Sequence, residues 1–183
     1  MQVEVKCIVA SLDEEFLVRL VKVRADYQFG AGAGEALVSR GLKVETSRRT
    51  GKPRYVYDSE GRLLATIRWN DGFLALTIEG ARILQKHFKR PKLRVIVRND
   101  VKDFIKQGRS VFAKHVVDVD PEIRCGDEVL VVDEEDNLLA VGRALLSSYE
   151  MRAFNSGVAV KVRRGVESER DKSKRAAEDV TRS

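Results

Sequence analysis

The sequence predicts an α+β protein, a small α/β N-terminal domain followed by a small mixed β-barrel. Three observations predict it. Phe16, Leu17, Leu20 and Val21 recur at helical spacing behind the capping-box pattern Ser11-Leu12-Asp13-Glu14. Between Lys43 and Thr77, three turn signals separate about four strand-like runs. Beyond Pro91, a second series of short β-branched segments, each bounded by turn residues, has the spacing of a small barrel. A chain of 183 residues can hold one ordinary core or two small ones, so its length permits two domains.

The first helix is expected from about Leu12 to Arg24. The cluster Gly30-Ala31-Gly32-Ala33-Gly34 follows, and then a short helix in "EALVSRG" that Gly41 stops. The strands "KVETS" and "RYVYD" flank "RRTGK"; "RLLATIRW" follows Ser59-Glu60-Gly61, and "FLALTI" follows Asn70-Asp71-Gly72. The helix "EGARILQKHF" closes a first domain, residues 1–90, and the boundary falls at "KRPK" around Pro91. The second domain, residues 91–165, opens with the strand "LRVIV". A helix follows in "NDVKDFIKQG", with Asn99 as cap, Val101, Phe104 and Ile105 on the apolar face, and Gly108 as terminator. The strands "SVFAKHVV", "DEVLVV", "NLLAVGRALL" and "VAVKVRRG" complete it, bounded by Pro121, Gly126, the acidic turn Asp133–Asn137 and Gly157. Residues 166–183 have almost no large apolar side chain and read as a polar tail, either disordered or a solvated helix.

Several function classes are excluded by what the residues can do. No apolar run approaches the ~20 residues of a membrane helix, and the first residues carry acids where a secretory signal needs an apolar stretch. The expectation is a cytoplasmic protein without a membrane partner. Cys7 and Cys125 lie far apart with no C-x-x-C; they read as buried reduced thiols, although the sequence is also compatible with a disulfide between them. With only His87 and His115 as imidazoles, a zinc site has too few ligands, and no metal is expected. The glycine cluster places its third glycine one position early for a dinucleotide fingerprint, with Glu35 where that glycine belongs, and no G-K-[ST] follows as a phosphate loop requires. It reads as a sharp turn whose backbone N–H groups open a short helix, a start still able to accept an RNA phosphate. His115 reads as a partly buried, hydrogen-bonded imidazole in a strand, and His87 as a favourable charge near a helix end. "DEEDN" lacks the alternation of a calcium loop and reads as a solvated hairpin turn. Nothing specifies catalysis, and no cofactor is expected.

The net charge of +6 and pI of 9.4 permit an acidic partner. Residues 1–90 hold 16 Lys/Arg against 11 Asp/Glu, whereas residues 91–165 hold 13 against 12, so the second domain binds an anion only by separating its charges in space. Its helix offers such a separation: Lys102 and Lys106 lie four apart, with Arg109 three further on, away from the apolar stripe and followed by Ser110 and Lys114. A second cluster, Arg48, Arg49, Lys52 and Arg54, surrounds the Thr50-Gly51 hairpin tip, and a third, Lys161, Arg163 and Arg164, ends the last strand. Three basic clusters point toward RNA.

The stretch Gly108 to Gly165 resembles the PUA domain, the module of pseudouridine synthases and archaeosine transglycosylases. The residues that carry the resemblance are "GRSVFAK", "PEIRCGDEVLVV", "LAVGRA" and "MRAFNSGVAVKVR". Upstream, "DYQFGAGAGEALV", "TGKPRYVY" and "LATIRWNDGFLALTIEGA" are similar to the domain that precedes PUA in archaeal tRNA-guanine transglycosylases, so the resemblance covers about residues 20 to 165. It implies a PUA-type mixed barrel that grips RNA, often the acceptor stem and 3′ end of tRNA, with its first helix, the following loop and an adjacent strand. Those elements here carry Lys102, Lys106, Gly108, Arg109, Ser110, Val111 and Lys114. Gly108 admits the RNA backbone closely, and Val111 offers an apolar surface to a sugar or base. Arg143 beside Gly142, and the pair Arg163 and Arg164, are further candidates, while Phe112 and Met151 read as core. A transglycosylase performs base exchange with carboxylates on a large barrel domain and carries a cysteine-rich zinc site; this chain has neither the length nor the cysteines for these, so that chemistry does not transfer. The expectation is a non-catalytic, archaeal RNA-binding protein that recognises tRNA. Two alternatives are an accessory subunit serving a separate RNA-modifying catalytic chain, with an apolar patch on the first domain, and a translation factor bound to the small ribosomal subunit.

Overall fold

A computed structural model describes residues 14–168. Helix α1 (Glu14–Phe29) runs to Phe29 and not to Arg24, because Ala25 and Phe29 continue the buried i, i+4 stripe begun by Leu17 and Val21. Burying the larger members of that stripe contributes about 1.5–3 kcal/mol each. The capping residues Ser11 to Asp13 lie outside the described residues, as do Cys7 and the tail beyond Ser168. The glycine cluster then turns the chain sharply, with Gly30 and Gly32 at φ 110° and 91°. Gly34 opens α2 (Ala33–Val38) so close to α1 that a Cβ there would overlap the Lys22 carbonyl oxygen. The Gly34 N–H donates to Asp26 Oδ1 at 2.8 Å, so the donor that a phosphate would use is already taken.

The next four strands, β1 (Lys43–Thr46), β2 (Pro53–Tyr57), β3 (Leu63–Ile67) and β4 (Leu74–Leu76), form an antiparallel meander in that order. Helix α3 (Ile78–His87) follows, and the Thr77 side chain accepts from the Gly80 N–H at its start. α1 and α3 pack on this sheet and α2 packs on both helices, sharing one core through Leu37, Leu64, Leu74 and Leu84.

The second sheet contains β5 (Arg94–Val97), β6 (Val111–Phe112), β7 (Val116–Val119), β8 (Glu128–Val132), β9 (Leu138–Ala144) and β10 (Val158–Gly165). Its order is β6-β10-β9-β8-β5-β7, with β5 parallel to β8 and the other pairs antiparallel, giving a nearly closed mixed barrel. The run "SVFAKHVV" is not one strand: a 3-10 turn at Ala113–His115 splits it into β6 and β7. Asn99 does not cap α4 (Lys102–Lys106) with its side chain; it opens a 3-10 turn and donates to Glu135 Oε1. On α4 only Ile105 is buried, while Phe104 turns outward. A helix that the strand pattern hid, α5 (Ser148–Ala153), begins with a complete capping box between Ser147 and Glu150. Met151 is core, but Phe112 is exposed at the barrel rim and Cys125 is an exposed thiol.

The acidic turn is a structural joint. Asp133 is buried and accepts from the N–H groups of Glu135 and Asn137. Asp136 pairs with Arg94, which is only 2% exposed. Arg94 also donates to the carbonyls of Lys92, Gln85 and Phe88, tying the end of α3 to the barrel. The first core also takes in Leu130 and Val141 from β8 and β9, so the two sheets are packed against each other through a shared apolar contact.

Candidate nucleic-acid interface

The helix α4 and the chain that follows it form the first basic surface. Gly108 has φ 95°, the left-handed region that terminates a helix with little strain only at glycine. Gly165, at the end of β10, lies directly beneath: a Cβ there would overlap the Lys106 carbonyl and stand 2.7 Å from the Gly108 nitrogen. Close backbone contact therefore holds the α4 terminus against β10, alongside the packing of Ile105 in the barrel core. Arg109 and Lys114 are exposed and Lys102 is half-buried, and among the described residues none has a carboxylate partner. Lys106 is partly neutralised by Asp103 at 3.2 Å. Ser110 is half-buried beside them.

Val111 contradicts the sequence expectation. It is 1% exposed and belongs to the barrel core, because β6 places its first side chain inward and its second, Phe112, outward. The apolar surface near α4 comes instead from Phe104 and Phe112. His115 stacks edge-on against Phe112, and its Nδ1 is buried with no hydrogen-bond partner, unlike the bonded imidazole expected. Burial, and then the nearby Lys114 charge, hold its pKa below the ordinary histidine value.

The pair Arg163 and Arg164 is split by the strand. Arg163 turns toward the first domain and forms an ion pair with Glu128, a carboxylate that also accepts from the Leu76 N–H. Its charge is thus committed internally and is not presented beside α4. Burial, followed by the like charges of Arg164 and Arg68, pushes the Arg163 guanidinium down to about 10, still protonated at neutral pH. Arg143 is exposed and lies directly across from Lys161, so both share one face of the β9 and β10 ribbon. Arg143 Nε donates to the Gly126 carbonyl, which places it at the rim of a cleft between the two sheets, away from α4.

The hairpin tip is a separate projection. Ser47 N–H donates to Lys52 O, and the N–H groups of Thr50 and Gly51 both reach Ser47 O, so the turn is closed. Arg48, Arg49, Lys52 and Arg54 are all exposed around it, with the Arg54 guanidinium 5.4 Å from the centre of the Tyr55 ring. The sequence-predicted basic residues therefore occupy three places: the α4 surface, the β9 and β10 face, and the β1 to β2 tip.

The cleft escaped the sequence reading. It has a volume of about 790 Å³ and is lined by Tyr27, Arg68, Phe73, Arg124, Glu128 and Ser147 among others. Its walls come from residues far apart in the chain, and the only local sign was the run of aromatic residues around Arg68-Trp69-Asn70-Asp71-Gly72-Phe73.

Comparison with known proteins accounts for both halves. Residues 19–91 match the patch-forming domain C2 of tRNA-guanine transglycosylase, and residues 93–166 match the PUA domain. The tRNA-guanine(15) transglycosylase of Methanobrevibacter smithii is 48% identical over 149 residues, covering 81% of this chain and 22% of the relative. That of Pyrococcus furiosus is 51% identical over 146 residues, covering 80% and 24%. The chain thus spans about a quarter of the length of these relatives. Among solved structures, a hypothetical protein of Pyrococcus horikoshii aligns with a TM-score of 0.67 at 25% identity, over 84% of this chain and 92% of that one. A conserved PUA domain protein from Thermoplasma acidophilum shares the fold, with a TM-score of 0.57 at 20% identity over 84% and 91%. With both segments matched in order and half the residues identical, the chain is a PUA-domain protein whose PUA domain follows a C2 domain, as in the C-terminal part of the archaeal tRNA-guanine transglycosylases.

Proposed function

We propose that this is a non-catalytic, cytoplasmic RNA-binding protein that recognises tRNA at its acceptor stem and 3′ end through the PUA half, with the β1 to β2 tip lying along the phosphate backbone. The observation that carries the proposal is the α4 terminus. Gly108, held on the backbone by Gly165, presents Lys102, Arg109 and Lys114 without carboxylate partners among the described residues, and Phe104 turns out beside them. Unpaired cations attract phosphates, and an exposed ring beside them can stack on a base that a duplex would hide. The test is anisotropy binding to whole tRNA, tRNA lacking its CCA end, and a plain duplex of equal charge, each at two salt concentrations. A preference for intact tRNA that survives added salt supports 3′-end recognition. Equal and steeply salt-sensitive binding to all three would leave only phosphate attraction and overturn it.

A second reading rests on the comparisons: a subunit that supplies tRNA affinity to a separate catalytic chain of the transglycosylase type. Identity of about one half with one quarter of such enzymes supports it. It predicts that this protein lowers the KM of that catalytic chain for tRNA while leaving kcat nearly unchanged; sedimentation with small ribosomal subunits instead would favour a translation factor.

A further inference from the structure

The turn joining β3 to β4 is closed by hydrogen bonds and yet displays aromatic rings to water. Arg68 N–H donates to Phe73 O at 2.9 Å, Gly72 N–H to Arg68 O at 3.0 Å, and Phe73 N–H to Asp71 Oδ1 at 3.0 Å. Gln28 locks this turn to α1 from both sides, donating to Leu74 O at 2.9 Å and accepting from Leu74 N–H at 2.7 Å. Trp69 is nevertheless 90% exposed and Tyr27 81% exposed. Tyr27 lies nearly parallel to Phe73, with ring centres 6.3 Å apart and planes at 16°, and the Arg68 guanidinium sits 5.4 Å from the centre of the Phe73 ring. Large apolar rings held in water by a fixed backbone are costly to leave uncovered.

The charges around this turn select the occupant. Arg24 lies against Gly72 and has no carboxylate partner among the described residues. Across the cleft, Arg124 is exposed and forms no ion pair among the described residues, although its charge acts on the neighbouring Glu122, and Arg143 donates to the Gly126 carbonyl. Aromatic faces rimmed by guanidiniums that form no ion pair among the described residues suit a base with its phosphate, whereas a protein surface would have to supply several acids at matched positions.

We propose that Trp69, Tyr27 and Phe73 form a stacking platform for an unpaired nucleotide, with Arg24, Arg124 and Arg143 engaging the flanking phosphates. It is a second RNA contact, separate from α4, and it rests on the RNA-binding reading above. A tRNA gripped at α4 would then be held at two points by the full chain, one of which accepts only bases free of pairing.

Trp69 is the sole tryptophan, so its fluorescence reports this site directly. The full chain is titrated with a single-stranded oligonucleotide of about ten residues and with a duplex, reading tryptophan emission, acrylamide accessibility and the anisotropy of the labelled RNA. The expected result is that the single strand quenches and shields Trp69 while the duplex does not. Trp69→Ala and Tyr27→Ala, read by anisotropy alone, should each weaken the single strand about five- to a hundredfold. Arg109→Glu should leave the quenching in place while weakening tRNA. If tRNA binds and Arg109→Glu weakens it, but Trp69 stays accessible and Trp69→Ala changes nothing, the platform falls and the α4 reading stands. If neither RNA binds by either readout, both fall, and a protein would be the better occupant of the exposed rings.

Discussion

Replacing Arg94 with alanine should destabilise the whole protein, not one domain. The guanidinium is buried, pairs with Asp136 at 2.7 Å and donates to three backbone carbonyls at 2.8 to 3.0 Å. Alanine leaves those carbonyls without a donor in a site water reaches poorly, and each lost charge-assisted bond costs about 1.5–3 kcal/mol before relaxation. Asp136 is about one-third exposed and recovers part of its share by solvation. Taken together the loss should be about 3–5 kcal/mol, or ~6–20 °C in Tm for a folded unit of this size. Because Leu130 and Val141 belong to the first core, unfolding by urea, followed by far-UV circular dichroism and by Trp69 emission, should remain a single transition. Arg94→Lys should rescue little, since one ammonium cannot reach three carbonyls and a carboxylate in a planar fork. A loss below about 1 kcal/mol, far under the value for breaking a buried pair, or two separated transitions in the parent protein, would show that the arginine does not couple the domains.

Arg109→Glu should weaken tRNA binding at least about tenfold at low salt and reduce the salt slope, while Arg163→Gln, whose parent charge is spent on Glu128, should change affinity far less and lower stability instead. Gly165→Ala should force α4 away from β10 and impair tRNA binding, whereas Gly61→Ala, with nothing within 4 Å of the added carbon, should leave binding unchanged despite its strained φ of 77°. His115 is half-buried, and partial burial with the nearby Lys114 charge keeps its folded pKa below the unfolded value, so the unfolded chain binds the proton first. Stability should therefore be complete above about pH 6.5 and decline as the pH falls through that value, a slope that His115→Gln should flatten in urea titrations at several pH values. Asp58 should add a second decline at lower pH. Burial opposes its ionisation, but bonds from Arg62 outweigh that and hold the carboxyl below its ordinary value, so its contribution is present above about pH 4 and lost beneath it.

Periodicity made most elements readable. The four strands of the meander and α3 were apparent because turn residues and apolar spacing agree locally. α5 carried its signal openly, as Ser147-x-x-Glu150, but the β-branched runs on either side dominated the reading. α1 was cut short because Asp26 and Tyr27 are modest helix formers, and the reason they stay helical, burial of Ala25 and Phe29 against the sheet, is a tertiary fact.

The basic residues show the same limit more sharply. Clusters are visible in a sequence, but the partner that neutralises a charge is not. Arg163 and Arg164 are neighbours in the chain, and strand geometry sends one of them to Glu128, whose own position is fixed 35 residues earlier. Arg143, grouped with them by charge, faces Lys161 at the cleft rim instead of α4. Val111, grouped with α4 by adjacency, is turned into the core by the same alternation that exposes Phe112. The cleft residues Tyr27, Arg68 and Arg124 share no local sequence link; Gln28 and Leu74, bonded at two points across 46 residues, bring the first two together, and Arg124 joins them across the cleft. On the RNA-binding reading proposed above, the charges that matter are those the fold leaves unpaired. Among the described residues these include Arg48, Arg49, Lys52 and Arg54 at the β1 to β2 tip, Lys102, Arg109 and Lys114 at one end of the barrel, and Arg24, Arg124 and Arg143 about the cleft, and the last two sets have exposed aromatic rings beside them. Coulomb attraction alone would not require rings in either place, so their recurrence beside both sets argues for recognition of unpaired bases over simple attraction to phosphate.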